Sequence, residues 1–332
     1  MKKYILDLTV RSVERVHERY VLMKLTQQAP LPPMNPGQFV EVRVDGSSST
    51  FLRRPISIHF VDYQNNELWL LVACVGDGTR RLAELKAGEV VNCVLPLGNG
   101  FTVESDNVAL YGEGDIQKGA QDGDEAQGGD EAQDGNEAQD GNEAQDGDDA
   151  QDGDEAQDGN EAQRNGEAQA KGALRRVLLA GGGVGVAPLL YLGKVLKEQG
   201  VEPTFLLGAR SAKDLLMLSE FEKYGRVLVT TEDGSMGEKG FVTNHSVLQQ
   251  ETFDLIQVCG PTPMMKAVAR YAHEKGIACE VSLENLMACG LGACLCCVEK
   301  VKTSPDSQSP TTNVCVCKEG PVFNINRLLW QS

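Results

Sequence analysis

A hexapeptide repeat in the middle of the chain limits which parts of it can fold. Residues 132–163 read AQDGNEAQDGNEAQDGDDAQDGDEAQDGNEAQ, without an aromatic or β-branched residue. A segment of this composition cannot bury enough apolar surface to offset the entropy of ordering it, and its like charges repel one another. We therefore predict a solvated, disordered insertion over 104–173, which separates two foldable parts of the chain.

The Asp-Gly-Asp and Asp-Gly-Asn steps of this repeat also resemble calcium-binding loops. An EF-hand, however, needs a fixed pattern of ligands in a loop between two helices. A calcium β-roll needs an apolar residue in each repeat for its core. The repeat has neither feature, so we do not predict a calcium site, and the role of the insertion stays open.

The acidic character of the protein belongs to the same segment. The chain has 31 basic and 48 acidic residues and a net charge of −17, and between Glu113 and Lys171 we count 3 basic and 20 acidic residues. The remaining 273 residues hold 28 of each sign. They form a neutral globular protein that is long enough for two cores, and they indicate no basic face for nucleic acid.

The N-terminus and the long apolar stretch of the chain do not indicate a targeting or membrane segment. Charged residues interrupt the start, MKKYILDLTVRSVERVH, so a signal peptide is not predicted. The stretch VLLAGGGVGVAPLLYLGKVL, 177–196, contains several glycines, Pro188 and Lys194, which favour a strand–turn–helix over a membrane span. We expect a cytoplasmic protein with no membrane contact, in which clustered cysteines bind metal more often than they form disulfides.

Residues 1–103 are predicted to form a small antiparallel β-barrel. The segment GQFVEVRV, 37–44, alternates valines with Glu41 and Arg43, which is the period of a half-buried strand. A second strand is predicted in ELWLLVACV, 67–75, and turn residues separate the short strands. Two stretches, RRPISI at 53–58 and GDGTRRL at 76–82, are suited to phosphate or a polar ring edge, because they combine arginine, hydroxyl and glycine N–H donors. An ordinary strand and an ordinary turn are the alternatives.

Residues 174–280 are predicted to form a doubly wound parallel α/β domain. A short strand, RRVLLA at 175–180, precedes the glycine turn GGGVG, and a helix is predicted over 186–200. Further strands are predicted in PTFLLGAR, RVLVTT, LIQVCG and IACEVS. A strand, a glycine turn and a helix can present N–H groups to a pyrophosphate. The spacing is not the full dinucleotide fingerprint, and no acidic residue clearly ends the second strand.

The last part of the chain, 281–332, contains six of the ten cysteines. Three of them form the pattern C-x4-C-x2-C, which is the spacing of a plant-type [2Fe–2S] loop: Cys289, Cys294 and Cys297. A fourth thiolate is available from Cys315 or Cys317, while Cys296 directly precedes Cys297 and is poorly placed to reach the same cluster. A zinc site is the alternative, but four-cysteine zinc sites usually pair two short knuckles.

Six motifs in this order resemble a known family. They are RRPISI, GDGTRRL, LGNGF, LLAGGGVGVAPL, CGPTPMM and MACGLGACLCCV…CKEGPVF. Together they are similar to the electron-transfer subunits of NAD-dependent (B-type) dihydroorotate dehydrogenases, which belong to the ferredoxin–NADP reductase-like superfamily. The similarity covers nearly all of 1–103 and 174–323, and the repeat is no part of the family pattern.

The resemblance implies three cofactor sites: FAD on the barrel, NAD on the α/β domain and one [2Fe–2S] cluster on the cysteine loop. The implied FAD contacts are Arg54, Pro55, Ile56, Ser57, Leu71, Val72, Ala73, Gly78 and Thr79. The implied cluster ligands are Cys289, Cys294, Cys297 and Cys317, the last because the family's fourth cysteine precedes a run like KEGPVF. Cys259-Gly260-Pro261 would lie where nicotinamide meets flavin. Cys296 stands where a small residue is usual, and Cys315 is an extra thiol.

The resemblance also implies a function in pyrimidine biosynthesis. Electrons would pass from dihydroorotate to FMN in a partner catalytic subunit, then through the cluster and FAD to NAD, in a heterotetramer with two copies of each subunit. No catalytic residue for dihydroorotate is predicted in this chain, so it should not oxidise dihydroorotate alone. Two alternatives remain: a reductase subunit of another NAD(P)-linked complex, of the sulfhydrogenase or ferredoxin-linked type, and a non-enzymatic, zinc-stapled interaction scaffold.

Overall fold

A computed structural model describes residues 2–103, 176–304 and 308–330. The predicted insertion over 104–173 lies outside these residues. The described chain forms a closed six-stranded barrel, a seven-stranded sheet flanked by helices, and a two-stranded ribbon. This architecture confirms the predicted order of an antiparallel barrel, an α/β domain and a C-terminal cysteine module.

The barrel has only antiparallel pairings, in the order β1-β2-β5-β4-β3-β6. Its strands are β1 (Tyr4–His17), β2 (Tyr20–Thr26), β3 (Phe39–Val42), β4 (Arg54–Asp62), β5 (Glu67–Ala73) and β6 (Val90–Leu97), and one helix, α1 (Asp77–Ala83), follows β5. Aliphatic side chains such as Val40, Ile58 and Leu70 are fully buried in its core. Alternating apolar residues therefore line the inside of the barrel, as the strand period predicts.

The outer face of β3 differs from the prediction of a half-buried strand. All four residues of β3 are buried, and Glu41 has no exposed surface. Val40 and Val42 pack in the barrel core, whereas Phe39 belongs to a second apolar cluster that includes Cys297 of the cysteine loop. The alternation is correct, but another part of the chain covers the face that carries Glu41.

The α/β domain is a doubly wound sheet in the order β10-β9-β8-β7-β11-β12, and β15 (Val322–Asn324), from the cysteine-rich end, lies at its edge beside β12. Its strands and helices are β7 (Val177–Gly182), α2 (Ala187–Glu198), β8 (Thr204–Ala209), α3 (Leu218–Glu222), β9 (Arg226–Thr231), β10 (Glu238–Lys239), α4 (Val247–Gln250), β11 (Leu255–Cys259), α5 (Thr262–Lys275) and β12 (Ala278–Ser282). The pairings from β10 to β12 are parallel. The five strands predicted from apolar runs are all present, and β10 was not predicted.

The turn after β7 is longer than a simple strand-to-helix turn. The strand includes Gly181 and Gly182, and a single 3-10 turn, Gly183–Val186, comes before α2. Pro188 lies in the first turn of α2, where its missing N–H costs no hydrogen bond. The predicted helix is therefore confirmed. It begins one residue after the predicted start at 186 and ends two residues before the predicted end at 200.

The cysteine-rich end of the chain is tied to both other parts. Its elements are β13 (Val298–Lys302), β14 (Thr311–Cys315), α6 (Val316–Glu319) and β15 (Val322–Asn324). β13 and β14 form the antiparallel ribbon, and β15 pairs antiparallel with β12 at the edge of the large sheet. Asn99, after β6, donates from its backbone N–H to Gly320 (2.6 Å). The segment from Gly320 to β15 is thereby joined to both the barrel and the sheet.

Buried polar groups fix the barrel against the α/β sheet. Glu280 on β12 accepts hydrogen bonds from the hydroxyl of Thr102 (2.7 Å) and the amide of Gln257 (2.8 Å). On the other side of the contact, an imidazole nitrogen of His59 on β4 lies 2.7 Å from the carbonyl oxygen of Ala187. Burial lowers the pKa of His59 to about 4, so this imidazole is neutral at pH 7.

No helix of the described residues has the length and apolar character to cross a membrane.

Candidate cofactor sites

The predicted FAD contacts of β4 and β5 lie at one end of the barrel, where these two strands part, and we call this place the FAD cleft. Residues Arg54–Ser57 of β4 pair with β3, but pairing of β4 with β5 begins only at Ile58 and Leu70. The end of β5, Leu71–Ala73, pairs with β2 and not with β4. β4 and β5 therefore part at this end. The predicted residues of the two strands lie on either side of the gap, as the two walls of the cleft.

Arg54 lies against the first turn of α1. A Cβ atom on Gly78 would be 2.8 Å from Nε of Arg54 and 2.9 Å from Cγ2 of Thr50. Only glycine therefore allows the guanidinium to approach the backbone here. The guanidinium contacts the carbonyl oxygens of Leu52 and Arg53, both at 3.2 Å. A guanidinium beside a close-packed glycine turn fits the diphosphate of a dinucleotide cofactor.

The hydroxyl of Thr79 shapes the turn before α1. It accepts hydrogen bonds from the N–H groups of Val75 (3.2 Å) and Gly76 (3.1 Å), and it lies 3.1 Å from the carbonyl oxygen of Gly76. The hydroxyl of Thr79 therefore shapes the loop, and its predicted contact with FAD stays a prediction. Ser57 is half-buried in the cleft, opposite Phe39 on β3.

The glycine turn after β7 packs directly on the segment after β11. Cys259 pairs with Gly181, and a Cβ atom on Gly185 would lie 2.4 Å from Cα of Gly260. The backbone of the glycine turn and that of Cys259-Gly260-Pro261 thus touch, and the structure places these two predicted motifs together. Burial raises the pKa of the Cys259 thiol to about 12, so it is neutral at pH 7.

A cavity of about 580 Å³ opens beside this turn. Its lining includes Gly182 and Gly183, residues after β8 and β9, and residues from the start of α5. Thr230 at the end of β9 is fully buried, and its Oγ1 has no hydrogen-bond partner among the described residues. The cavity lies at the carboxyl ends of parallel strands, where open α/β sheets bind their ligands.

Several residues of this cavity were not predicted from the sequence. Arg210 and Glu232 follow directly after β8 and β9, and their positions at strand ends would have indicated them. Arg19 and Tyr20 come from the hairpin between β1 and β2 of the barrel. No local pattern marks these two, because only the packing of the barrel on the sheet brings them to the cavity.

The cysteine loop carries N–H groups that point to thiol sulfurs. The N–H of Leu291 donates to Sγ of Cys289 (3.3 Å), and the N–H of Gly292 donates to Sγ of Cys317 (3.1 Å). Gly290 and Gly292 have φ values of +65° and +82°, which side chains disfavour, so both glycines are needed for this path. The N–H of Cys317 donates to Sγ of Cys297 (3.4 Å).

The environments of the predicted ligands differ. Cys297 and Cys317 are buried, Cys289 is half-buried and Cys294 is exposed. The N–H of Leu291 and further donors from Cys294 lower the pKa of Cys289 to about 6, whereas burial raises the pKa of Cys317 to about 12. A bound metal deprotonates a ligating thiol regardless. A loop of thiols with N–H···S hydrogen bonds fits an iron–sulfur cluster.

Of the other two thiols near this loop, Cys315 lies closer to the predicted ligands. Its Sγ is 3.7 Å from the carbonyl oxygen of Gly292, whereas Cys296 is exposed. Among the described residues, no three His, Cys, Asp or Glu side chains are arranged to hold a single metal ion.

Comparison with known proteins agrees with this division of the chain. Residues 284–329 match the family model for the iron–sulfur cluster binding domain of dihydroorotate dehydrogenase B, and residues 179–270 match an oxidoreductase NAD-binding domain. Among solved structures, the chain is similar to an NADH-dependent reduced ferredoxin–NADP oxidoreductase, with a TM-score of 0.67, 25% identity, and coverage of 98% of this chain and 90% of that one.

Two curated relatives cover most of the chain. The dihydroorotate dehydrogenase B (NAD(+)) electron transfer subunit of Bacillus velezensis is 33% identical over 317 residues, 95% of each chain. The subunit of the same name from Shouchella clausii is 34% identical over 295 residues, 89% of this chain and 86% of its own. The chain therefore belongs to the family of electron-transfer subunits of NAD-dependent dihydroorotate dehydrogenase B, as its motifs indicate.

Proposed function

We propose that this subunit carries electrons from the FMN of a catalytic dihydroorotate dehydrogenase subunit through a [2Fe–2S] cluster and FAD to NAD⁺. The observation that carries this proposal is the closeness of the cysteine loop to the FAD cleft. Gly290 of the loop packs on Glu41 of β3, and Glu41 pairs with Pro55 of β4, one wall of the cleft. One strand thus separates the two sites.

The three cofactors divide the electron chemistry. A [2Fe–2S] cluster exchanges single electrons and a nicotinamide exchanges a hydride, while a flavin supplies both kinds of transfer when it is bound. The FAD cleft therefore belongs between the cysteine loop and the nucleotide cavity. Cys259-Gly260-Pro261 packs on the glycine turn beside this cavity, and we assign it to the place where nicotinamide meets the flavin.

The residues of this chain contribute binding and orientation. We assign the FAD diphosphate to Arg54 beside Gly78, and the flavin ring to the cleft walls. The wall residues are Pro55, Ile56, Ser57, Leu71, Val72 and Ala73, and Thr79 shapes the adjoining turn. We assign the cluster to Cys289, Cys294, Cys297 and Cys317. NAD occupies the 580 Å³ cavity, where the unpartnered hydroxyl of buried Thr230 is available to a ligand.

The catalytic subunit docks, in this proposal, on the exposed side of the cysteine loop. Leu286, Leu291 and Leu295 are 80%, 47% and 65% exposed, although large apolar side chains are usually covered. These leucines lie beside the cysteines, so a partner that covers them brings its own cofactor close to the cluster. We place the assembly in the cytoplasm, with two copies of each subunit.

Purification with and without the catalytic subunit tests this function. The chain alone should contain iron, sulfide and FAD and should oxidise NADH with an artificial acceptor, but it should not oxidise dihydroorotate. Addition of the FMN-containing catalytic subunit should produce dihydroorotate-dependent reduction of NAD⁺. Oxidation of dihydroorotate by the chain alone, or a colourless protein with zinc in place of iron, would contradict the proposal.

A second candidate function rests on the structural similarity to the NADH-dependent reduced ferredoxin–NADP oxidoreductase, which covers 98% of this chain. In that case the partner would be a ferredoxin-linked subunit. The same purified chain separates the two functions. If the second function is correct, the chain and its ferredoxin-linked partner subunit should reduce the nicotinamide nucleotide with electrons from reduced ferredoxin. Dihydroorotate should then not support this reduction.

A further inference from the structure

The thiol of Cys315 holds one peptide of the cysteine loop. Its Sγ lies 3.7 Å from the carbonyl oxygen of Gly292, close enough for a weak S–H···O hydrogen bond. The N–H of the same glycine donates to Sγ of Cys317 at 3.1 Å. Gly292 is therefore held at its carbonyl by one cysteine while its N–H is directed to another.

The ribbon fixes the position of Cys315. Cys315 is the last residue of β14 and pairs with Val298. The next residue, Val316, donates from its N–H to the carbonyl oxygen of Cys297 (2.9 Å). These pairings fix the backbone at Cys315, so its Cβ stays beside the loop. Gly292 has a φ of +82°, a conformation that is open to glycine, and its N–H points to Cys317 in this conformation.

We propose that Cys315 is a positioning residue for the iron–sulfur cluster: its thiol holds the Gly292 peptide so that the N–H donates to the sulfur of Cys317. The inference rests on the proposed function, because it takes Cys317 as a cluster ligand. In this assignment the four ligands are Cys289, Cys294, Cys297 and Cys317, and Cys315 supports the loop beside them. Its effect is on the reduction potential of the cluster.

The physical reason is the charge that the cluster gains on reduction. An N–H···S hydrogen bond stabilises the more negative, reduced state more than the oxidised state, so it raises the reduction potential. When Cys315 loses its thiol, the Gly292 peptide is free to turn and this bond weakens. The potential of the cluster should then fall while its four ligands remain in place.

Three variants of the full-length protein test this inference. Cys315→Ala removes the donor, Cys315→Ser keeps a donor of similar size, and Cys296→Ala removes an exposed thiol of the same loop. Iron and sulfide content should be unchanged in all three. A redox titration followed by paramagnetic resonance should show a reduced-to-oxidised ratio about tenfold lower in Cys315→Ala at a given potential, a shift of about 59 mV.

The other two variants make this expectation specific. Cys315→Ser should restore most of the potential, and Cys296→Ala should match the wild type. Loss of iron in Cys315→Ala would show that Cys315 is a ligand and would overturn the proposal. Equal potentials in Cys315→Ala and the wild type would overturn it as well. A wild-type protein without a cluster would instead contradict the proposed function, so the two failures are distinguishable.

Discussion

Gly290 of the cysteine loop packs directly on Glu41 of the barrel. A Cβ atom on Gly290 would lie 2.7 Å from Cγ and 3.1 Å from Oε1 of Glu41. Glu41 is fully buried, and neither carboxylate oxygen has a hydrogen-bond partner among the described residues. Burial raises the pKa of Glu41 to about 7, against the opposing charge of Arg53. A carboxyl group in this state makes folding depend on pH.

We expect Glu41→Gln to stabilise the protein at pH 8 and not at pH 4.5. An unfolded glutamate ionises near pH 4.5, whereas Glu41 in the folded state ionises near pH 7. The free energy of unfolding is therefore highest below pH 4.5, where Glu41 is protonated in both states. It falls as the pH rises to about 7, because the unfolded state loses this proton first. The loss is about 3 kcal/mol, because one unit of pKa shift corresponds to about 1.4 kcal/mol.

Thermal unfolding of the wild type and Glu41→Gln at several pH values checks this expectation. The melting temperature of the variant should exceed that of the wild type by an amount that grows between pH 5 and pH 8. Glu18→Gln, at an exposed position of the barrel, is the matched control and should show no such trend. A constant difference across the pH range would contradict the raised pKa.

Cys289→Ser and Cys317→Ser should each remove the cluster, because a hydroxyl is a poor ligand for iron compared with a soft thiolate. Iron analysis and the paramagnetic resonance spectrum of the reduced protein measure the loss, and FAD content should stay near the wild-type value. Cys279→Ser changes a buried cysteine on β12 that is not one of the predicted ligands, and it serves as the control. Undiminished iron in Cys289→Ser or Cys317→Ser would exclude that residue as a ligand.

Arg54→Ala should weaken FAD binding by about tenfold to a hundredfold. A guanidinium–phosphate contact is charge-assisted and contributes roughly 1.5–3 kcal/mol. Titration of the flavin-free protein with FAD measures the dissociation constant. Arg11→Ala removes a barrel arginine whose partner is Glu67 at 2.9 Å, and it should bind FAD as the wild type does. A change of less than twofold in Arg54→Ala would place the diphosphate elsewhere.

Gly185→Ala should impair NADH oxidation without loss of FAD or iron. The added methyl group would lie 2.4 Å from Cα of Gly260, so the glycine turn and Cys259-Gly260-Pro261 would have to separate. The measurement is the KM for NADH with an artificial acceptor. Gly76→Ala is the control, because Gly76 has a φ of −129° and no atom lies within 4 Å of an added Cβ. An unchanged KM for NADH in Gly185→Ala would show that this turn does not contribute to NAD binding.

Deletion of residues 116–170 should leave FAD content, iron content and NADH oxidation unchanged. The composition of this segment provides no core, and the length of a flexible connection affects its closure entropy only weakly. Cofactor analysis of the deletion variant and its ability to bind the catalytic subunit are the measurements. Loss of a cofactor would show that the repeat supports the fold, and loss of the partner would assign the repeat to assembly.

Local patterns in the sequence determined the barrel, the doubly wound sheet and the type of cofactor loop. The alternation around Val40, the apolar strands such as RVLVTT and the C-x4-C-x2-C spacing each depend on residues close together in the chain. Such patterns predict the elements correctly because backbone geometry sets side-chain periodicity over a few neighbouring residues. The motif RRPISI was predicted as a binding stretch, with an ordinary strand as the alternative, and its residues from Arg54 onward lie on β4 beside the cleft.

Only the tertiary structure decided which surfaces these elements share. The alternation predicted a solvent face for Glu41, but Gly290, far along the chain, covers it. Arg19 and Tyr20 reach the nucleotide cavity from the barrel, and β15 closes the edge of the sheet from the cysteine-rich end. Burial and electrostatics at these points arise from contacts between segments distant in sequence, and no local period encodes such contacts.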